Sequence, residues 1–258
     1  MLDEATVKTY FRQQNTVVTW WNPEQSPKSF LYKAEAERAA HYIPVCSDCL
    51  LLDAACGKGR ATASVAQKVH VTSMDISMQM LAVIEERYPQ NTRIFGDAEN
   101  TPFDDALFDV VICLGALVHM PDPHKAVAEF ARILKPGGRL IISMDQHSSL
   151  YSLTKRLSRR IMHIYTPHVQ LRGDAIWRTL DTSVMCRTLQ SLGMSICKKD
   201  FLGILAPLQL QLSPTLTWQI FPPWIARVLF PISCKLDTVP ALQRFAQYAI
   251  LIADKKEQ

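Results

Sequence analysis

Asp53, Asp75 and Asp97 each close a short apolar run, and they recur every 22 residues. The runs are Leu50 to Ala55, His70 to Ile76 and Thr92 to Asp97, with helix-compatible sequence between most of the successive runs. That period fits one strand plus one helix, and βα units repeated in line build a parallel sheet. Runs at Phe108 to Leu114 and Arg139 to Met144 extend the rhythm to five strands. Ligands of a doubly wound sheet sit outside the carboxyl ends of its strands, so the three acids are expected to converge on one crevice.

Helix signals support this frame. Ser77 is a suitable N-cap for a helix to Tyr88, which places Leu81, Ile84 and Tyr88 on one face and stops at Pro89. After Pro123, His124 to Leu134 carries Ala126, Val127, Phe130, Ile133 and Leu134 on a single stripe, and Pro136-Gly137-Gly138 is expected to end it. Ser148 to Tyr165 reads as a basic amphipathic helix, with Lys155, Arg156, Arg159 and Arg160 beside an apolar stripe. A further helix over Thr182 to Leu192 leads into a strand at Ile196 to Leu202, and a last strand spans Tyr248 to Ala253.

The turn after the first strand is Ala54-Ala55-Cys56-Gly57-Lys58-Gly59. Gly57 and Gly59 remove Cβ atoms that would hold a ligand away from the backbone, and the following segment offers unpaired N–H groups. Asp53 is placed to hold those amides or to meet a charged group of the ligand. A dinucleotide favours G-x-G-x-x-G/A, whereas this chain has Thr62 at the third small position, and an acid at 53 repels a pyrophosphate. A nucleoside with a cationic centre suits the acids better, with Asp75 accepting from both ribose hydroxyls and Asp97 meeting the adenine amino group.

Composition narrows the classes. The 258 residues are 48% hydrophobic and 20% charged, enough for one large α/β domain with insertions. A net charge of +4 is too weak to argue for nucleic acid as a partner. The first 14 residues carry no apolar segment of signal or anchor type, which points to a cytoplasmic protein. Seven cysteines, odd in number, are expected as reduced thiols, and the Cys46 to Cys49 pair lacks zinc-ligand company.

The motifs together resemble class I S-adenosylmethionine (SAM) dependent methyltransferases, most closely the ubiquinone and menaquinone biosynthesis type. Leu51 to Gly59 looks like their first motif, Met74 to Ser77 like the ribose-binding strand end, and Gly96 to Glu99 with Phe108 to Val111 like the adenine segment. Leu134 to Leu140 is similar to the turn before strand five. The resemblance implies a Rossmann-like, doubly wound, seven-stranded α/β sheet with an antiparallel last strand and helical cap insertions. It implies SAM as methyl donor and S-adenosylhomocysteine as product, with Asp53, Ala55, Gly57, Gly59, Asp75, Ile76, Met80, Asp97, Ala98 and Leu114 around the cofactor. Ala55 replaces the first family glycine. Where the family commonly has a Tyr-Asp pair this chain has Val18-Thr19, so Tyr10, Trp20, Trp21 and Tyr32 are all candidates to cover the methionine end.

The expected layout is a single domain over residues 1–258, with a helical cap at 1–45, the SAM-binding core at 46–145, and substrate-cap insertions at 146–181 and 203–244. His119, just after strand four, and His147, soon after strand five, are the candidate general bases. The apolar, proline-interrupted stretch from Phe201 to Cys234 suits a lid over a small apolar substrate. With the basic amphipathic helix it also offers a peripheral membrane contact. The expected activity is methyl transfer to oxygen or carbon of a small, largely apolar metabolite. The alternatives are a SAM-fold protein that does not transfer methyl (a binding subunit or a cyclase) and an RNA or protein methyltransferase.

Overall fold

The computed structural model describes residues 4–13, 26, 28–44, 48–64, 69–165, 179–206, 209–211, 217–219 and 222–257. Seven strands form one sheet: β1 (Leu50–Ala54), β2 (His70–Asp75), β3 (Thr92–Phe95), β4 (Phe108–Leu114), β5 (Leu134–Asp145), β6 (Met194–Leu202) and β9 (Tyr248–Lys255). Their spatial order is β3-β2-β1-β4-β5-β9-β6. The first five run parallel, and β9 is antiparallel to both β5 and β6. A separate antiparallel hairpin joins β7 (Gln209–Gln211) to β8 (Thr217–Gln219) and lies against the helix that follows β5.

Strand β4 shows why the sheet forms where it does. Its neighbours β1 and β5 satisfy both edges, so it is buried on both faces and reads as a nearly continuous apolar run. Alternate side chains serve opposite layers. Val110 and Ile112 join Leu51, Ile141, Ile250 and Ile252 against Ala36 and Ala39 of α2 (Ser29–His41). Val111 and Cys113 join Leu140 and Ile142 on the other face, under Phe130 and Ile133 of α4 (Pro123–Ile133) and Leu189 of α6 (Thr182–Ser191). Helices on both faces make the fold doubly wound.

The remaining helices are α1 (Glu4–Gln13), α3 (Met78–Arg87), α5 (Leu150–Tyr165), α7 (Pro223–Val228) and α8 (Phe230–Leu236). Ser77 caps α3 by accepting from Met80 N–H at 3.4 Å, as its position in the sequence indicates. Asp122 caps α4 through His124 and Lys125 N–H at 3.0 and 3.1 Å.

Three expectations are corrected. Helix α4 stops at Ile133, and β5 begins at once, running through Pro136-Gly137-Gly138 instead of after it. The register between β4 and β5 shifts between Phe108 and Val110, so residues 135–138 bulge opposite Asp109, whose carboxylate takes Lys135 Nζ at 2.8 Å on each oxygen. The insertion between β6 and β9 is not wholly helical, since it carries the β7–β8 hairpin. Cys49 is disulfide-bonded, with its partner outside the described residues, while Cys56, Cys113, Cys186, Cys197 and Cys234 are free thiols. Among the described residues no helix is long and apolar enough to cross a membrane.

Candidate functional site

The turn leaving β1 is tied down on two sides. Cys56 N–H donates to Met74 O at 3.0 Å, which fastens it to β2. Asp53, 2% exposed, accepts from Thr62 N–H at 3.1 Å and Thr62 Oγ1 at 2.7 Å, both on Oδ2. Of its two expected roles, Asp53 thus performs the holding of the turn. Burial raises its pKa to about 6 against the lowering effect of the Thr62 bonds.

The two glycines differ in what they permit. Gly57, at φ +53°, has nothing within 4 Å of where a Cβ would stand, so its backbone borders open space. A Cβ on Gly59, at φ +78°, would lie 2.7 Å from Tyr88 and 2.8 Å from Ile84. Gly59 therefore lets α3 close onto the turn, and Gly57 lets a ligand approach it. Ala55 is left-handed as well, with φ +53°.

Asp75 ends β2 with both oxygens engaged, Oδ2 by Gly57 N–H at 2.8 Å and Oδ1 by Ser77 N–H at 2.9 Å. Burial raises its pKa against the lowering effect of the Gly57, Ser77 and Ile76 backbone N–H groups. A carboxylate offers about four lone-pair sites, so each oxygen keeps one for a ligand hydroxyl. Beyond it, Met80, Ala98 and Leu114 are buried and Ile76 is half-buried at the ends of β2, β3 and β4.

Asp97 stands in a different setting from the one expected. Its Oδ1 accepts from Glu99 N–H at 3.0 Å, and its Oδ2 lies 2.7 Å from Lys8 Nζ of α1. Lys8 also reaches Glu99 at 2.8 Å and Glu4 at 2.6 Å. Burial would lower the Lys8 pKa, but these three carboxylates raise it above its ordinary value. Three residues further on, Phe11 places its ring 5.8 Å from that of His119. Helix α1 thus reaches the ends of both β3 and β4.

Behind the turn runs a buried brace. Glu35 of α2, fully buried, pairs with Arg60 through one oxygen and accepts from Ser143 Oγ through the other. Arg60 also donates to Leu114 O at 2.9 Å, and Gly115 N–H donates to Ser143 Oγ at 2.8 Å. Burial raises the Glu35 pKa while Arg60 and Ser143 oppose it. One network therefore joins α2, the glycine turn, β4 and β5.

The candidate bases are placed unequally. His119 is half-buried at the end of a single 3-10 turn after β4. His147 is exposed, with its Nδ1 2.9 Å from Thr179 Oγ1 and 2.8 Å from an Arg156 nitrogen. Tyr32 is half-buried between Arg60 and Tyr248, with Arg60 5.1 Å from its ring centroid, and Tyr10 packs edge-on against Phe11. Trp20 and Trp21 lie outside the described residues. Lys8, Glu35, Arg60 and Thr62 escaped the sequence reading. Glu35 alone carried a local signal, an acid on the buried stripe Leu31, Glu35, Ala39 of an alanine-rich helix, which requires a buried partner.

A doubly wound sheet with the order β3-β2-β1-β4-β5-β9-β6 and an antiparallel β9 is the fold type of the class I methyltransferases. Within it, residues 52–142 match the model of a methyltransferase domain. An O-methyltransferase of Aspergillus nomiae is 35% identical over 101 residues, 36% of this chain and 45% of that protein. A demethylmenaquinone methyltransferase of Clavibacter sepedonicus is 34% identical over 146 residues, 55% of each chain. The chain spans about half the length of these curated relatives. The structure of magnesium protoporphyrin IX methyltransferase from Synechocystis PCC 6803 with bound S-adenosylhomocysteine shares the fold at a TM-score of 0.65, with 16% identity over 99% of this chain and 100% of that one.

Proposed function

We propose that the protein is a SAM-dependent methyltransferase acting on an oxygen or carbon atom of a small, largely apolar metabolite. The observation that carries this reading is Asp75 beside Gly57: a buried carboxylate with one lone pair left on each oxygen, next to a backbone position open to a ligand. Those residues fit a nucleoside. Asp75 would hold the ribose hydroxyls, Ile76, Met80 and Ala98 the adenine, and Leu114 the methionine side. Asp97 is a weaker adenine partner than expected, because Lys8 shares its carboxylate.

The bound cofactor supplies an electrophilic methyl group on a sulfonium centre. The residues of this chain then contribute alignment and exclusion of water, and near-attack geometry alone can lower a barrier by about 7–11 kcal/mol. The brace of Glu35, Arg60 and Ser143 fixes the turn relative to β4 and β5, and so fixes the donor side relative to the acceptor side. The relatives named as O-methyltransferase and as demethylmenaquinone methyltransferase support a small-molecule acceptor.

A peripheral membrane contact belongs to the same proposal. Leu153 and Leu157 are 42% and 56% exposed on α5, next to exposed Arg160, and Trp224, Val228 and Ile232 are exposed on α7 and α8. Apolar side chains flanked by arginine suit an anionic bilayer surface. Incubation with methyl-labelled SAM and a cell lipid extract tests the activity: label should enter a small organic-soluble product. Tight cofactor binding with no transfer across broad extracts would favour the non-catalytic alternative.

A further inference from the structure

Next to the donor side, at the end of β5, lies a group of buried polar side chains that cofactor binding does not use. Lys28, the residue before α2, is buried, and its Nζ lies 3.2 Å from the centroid of the Tyr151 ring. Asp145 ends β5 directly opposite Tyr248, which begins β9. Gln247 joins them, its Nε2 donating to Tyr248 OH at 2.9 Å and to Asp145 Oδ1 at 3.3 Å. Gln247 is 1% exposed, and its Oε1 has no hydrogen-bond partner among the described residues.

An orphaned buried acceptor costs about 1–3 kcal/mol, and taking a lysine out of water is costly as well. Each such group calls for a physical reason, and a ligand that completes it is one. Their place in the sheet agrees. The donor acids sit on β1, β2 and β3, the crevice of a doubly wound sheet opens between β1 and β4, and β5 stands two strands, about 10 Å, from β1. The end of β5 is therefore the acceptor's side of the crevice.

We propose that Lys28 is the proton acceptor of the methyl transfer, and that Gln247 Oε1 takes a hydrogen bond from a second donor group of a molecule that presents an acidic hydroxyl. This rests on the methyltransferase reading. The neutral Lys28 amine takes the hydroxyl proton, the oxygen lone pair forms the new bond to the methyl carbon, and the electrons of the carbon–sulfur bond pass to sulfur, leaving a neutral thioether. The ammonium then returns its proton to water. Burial favours the amine, lowering the Lys28 pKa to about 7, with the Asp145 charge opposing. Among the described residues, the charged and titratable groups around this corner are Asp145 of β5, Tyr151 of α5, Tyr248 of β9, and Tyr32 and Glu35 of α2, the last paired with Arg60. A carboxylate acceptor is disfavoured, because it offers Gln247 no proton and faces Asp145.

The test uses the full chain saturated with S-adenosylhomocysteine and nitrocatechol as a probe, whose ionised form is coloured. Bound nitrocatechol should ionise at least tenfold more readily than the free molecule. Lys28→Met should abolish that shift while S-adenosylhomocysteine affinity stays within twofold, which also verifies the fold. Gln247→Leu should weaken probe binding about tenfold and keep the shift. Failure of nitrocatechol to bind the loaded parent, or an unchanged shift in Lys28→Met, would overturn the inference and leave the cofactor site intact. Failure of S-adenosylhomocysteine itself to bind would instead refute the methyltransferase reading, and this inference with it.

Discussion

Ala55 carries a left-handed backbone that an L side chain adopts at a cost of about 1–2 kcal/mol, partly offset in a glycine by the greater entropy of its unfolded chain. Ala55→Gly should therefore raise stability by up to about 1 kcal/mol, seen as a higher midpoint in chemical or thermal unfolding. The buried carboxyl of Asp53 makes stability depend on pH. Its folded pKa of about 6 lies above the ordinary value of 3.8. As pH rises from about 4 to about 6, the unfolded chain loses this proton and the folded one keeps it, so this group makes stability fall across that window and level off above it. Asp53→Asn retains an oxygen for both Thr62 bonds and removes the buried charge. Its unfolding midpoint should fall less steeply over the same window.

At the level of elements, α1 is held by a lysine. Among the described residues Lys8 is the cation paired with the buried carboxylate of Glu99 and the half-buried one of Asp97, so Lys8→Met removes the charge that these ion pairs supply. We expect a loss on the order of 3 kcal/mol, with hydrogen exchange rising first over residues 4–13. Unchanged protection of α1 would show that Val7 and Phe11 hold it without the ion pairs. The strand and helix limits were mostly legible, because central parallel strands are continuous apolar runs and Ser77 caps in sequence as it caps in space. The start of β5 was not. Pro136-Gly137-Gly138 has the composition of a stop, and only the pairing of Phe108 with Leu134 across the bulge makes it part of a strand. The glycine turn and Asp75 were legible from spacing. The brace was not, since Ser143 and Glu35 stand 108 positions apart and leave no local periodicity.

For the molecule as a whole, the exposed apolar side chains of α5, α7 and α8 are the surface on which the proposed membrane contact rests. If Leu153, Leu157, Arg160 and Trp224 rest on a bilayer, the chain should sediment with vesicles containing anionic lipid, lose that binding as salt is raised, and lose it further in a Leu153→Asp, Leu157→Asp variant. Equal recovery with neutral vesicles would remove the electrostatic part of that reading. The sheet order, by contrast, was predictable in kind from the βα rhythm, since right-handed crossovers leave few topologies open. If a SAM site lies at the ends of β1 and β2, titration calorimetry with S-adenosylhomocysteine on the parent and on Asp75→Ala will reveal it. Two charge-assisted bonds to the ribose at about 1.5–3 kcal/mol each predict saturable one-site binding by the parent and a loss of at least about 100-fold in the variant. Equal affinity in the two proteins, or no binding to the parent, would contradict it.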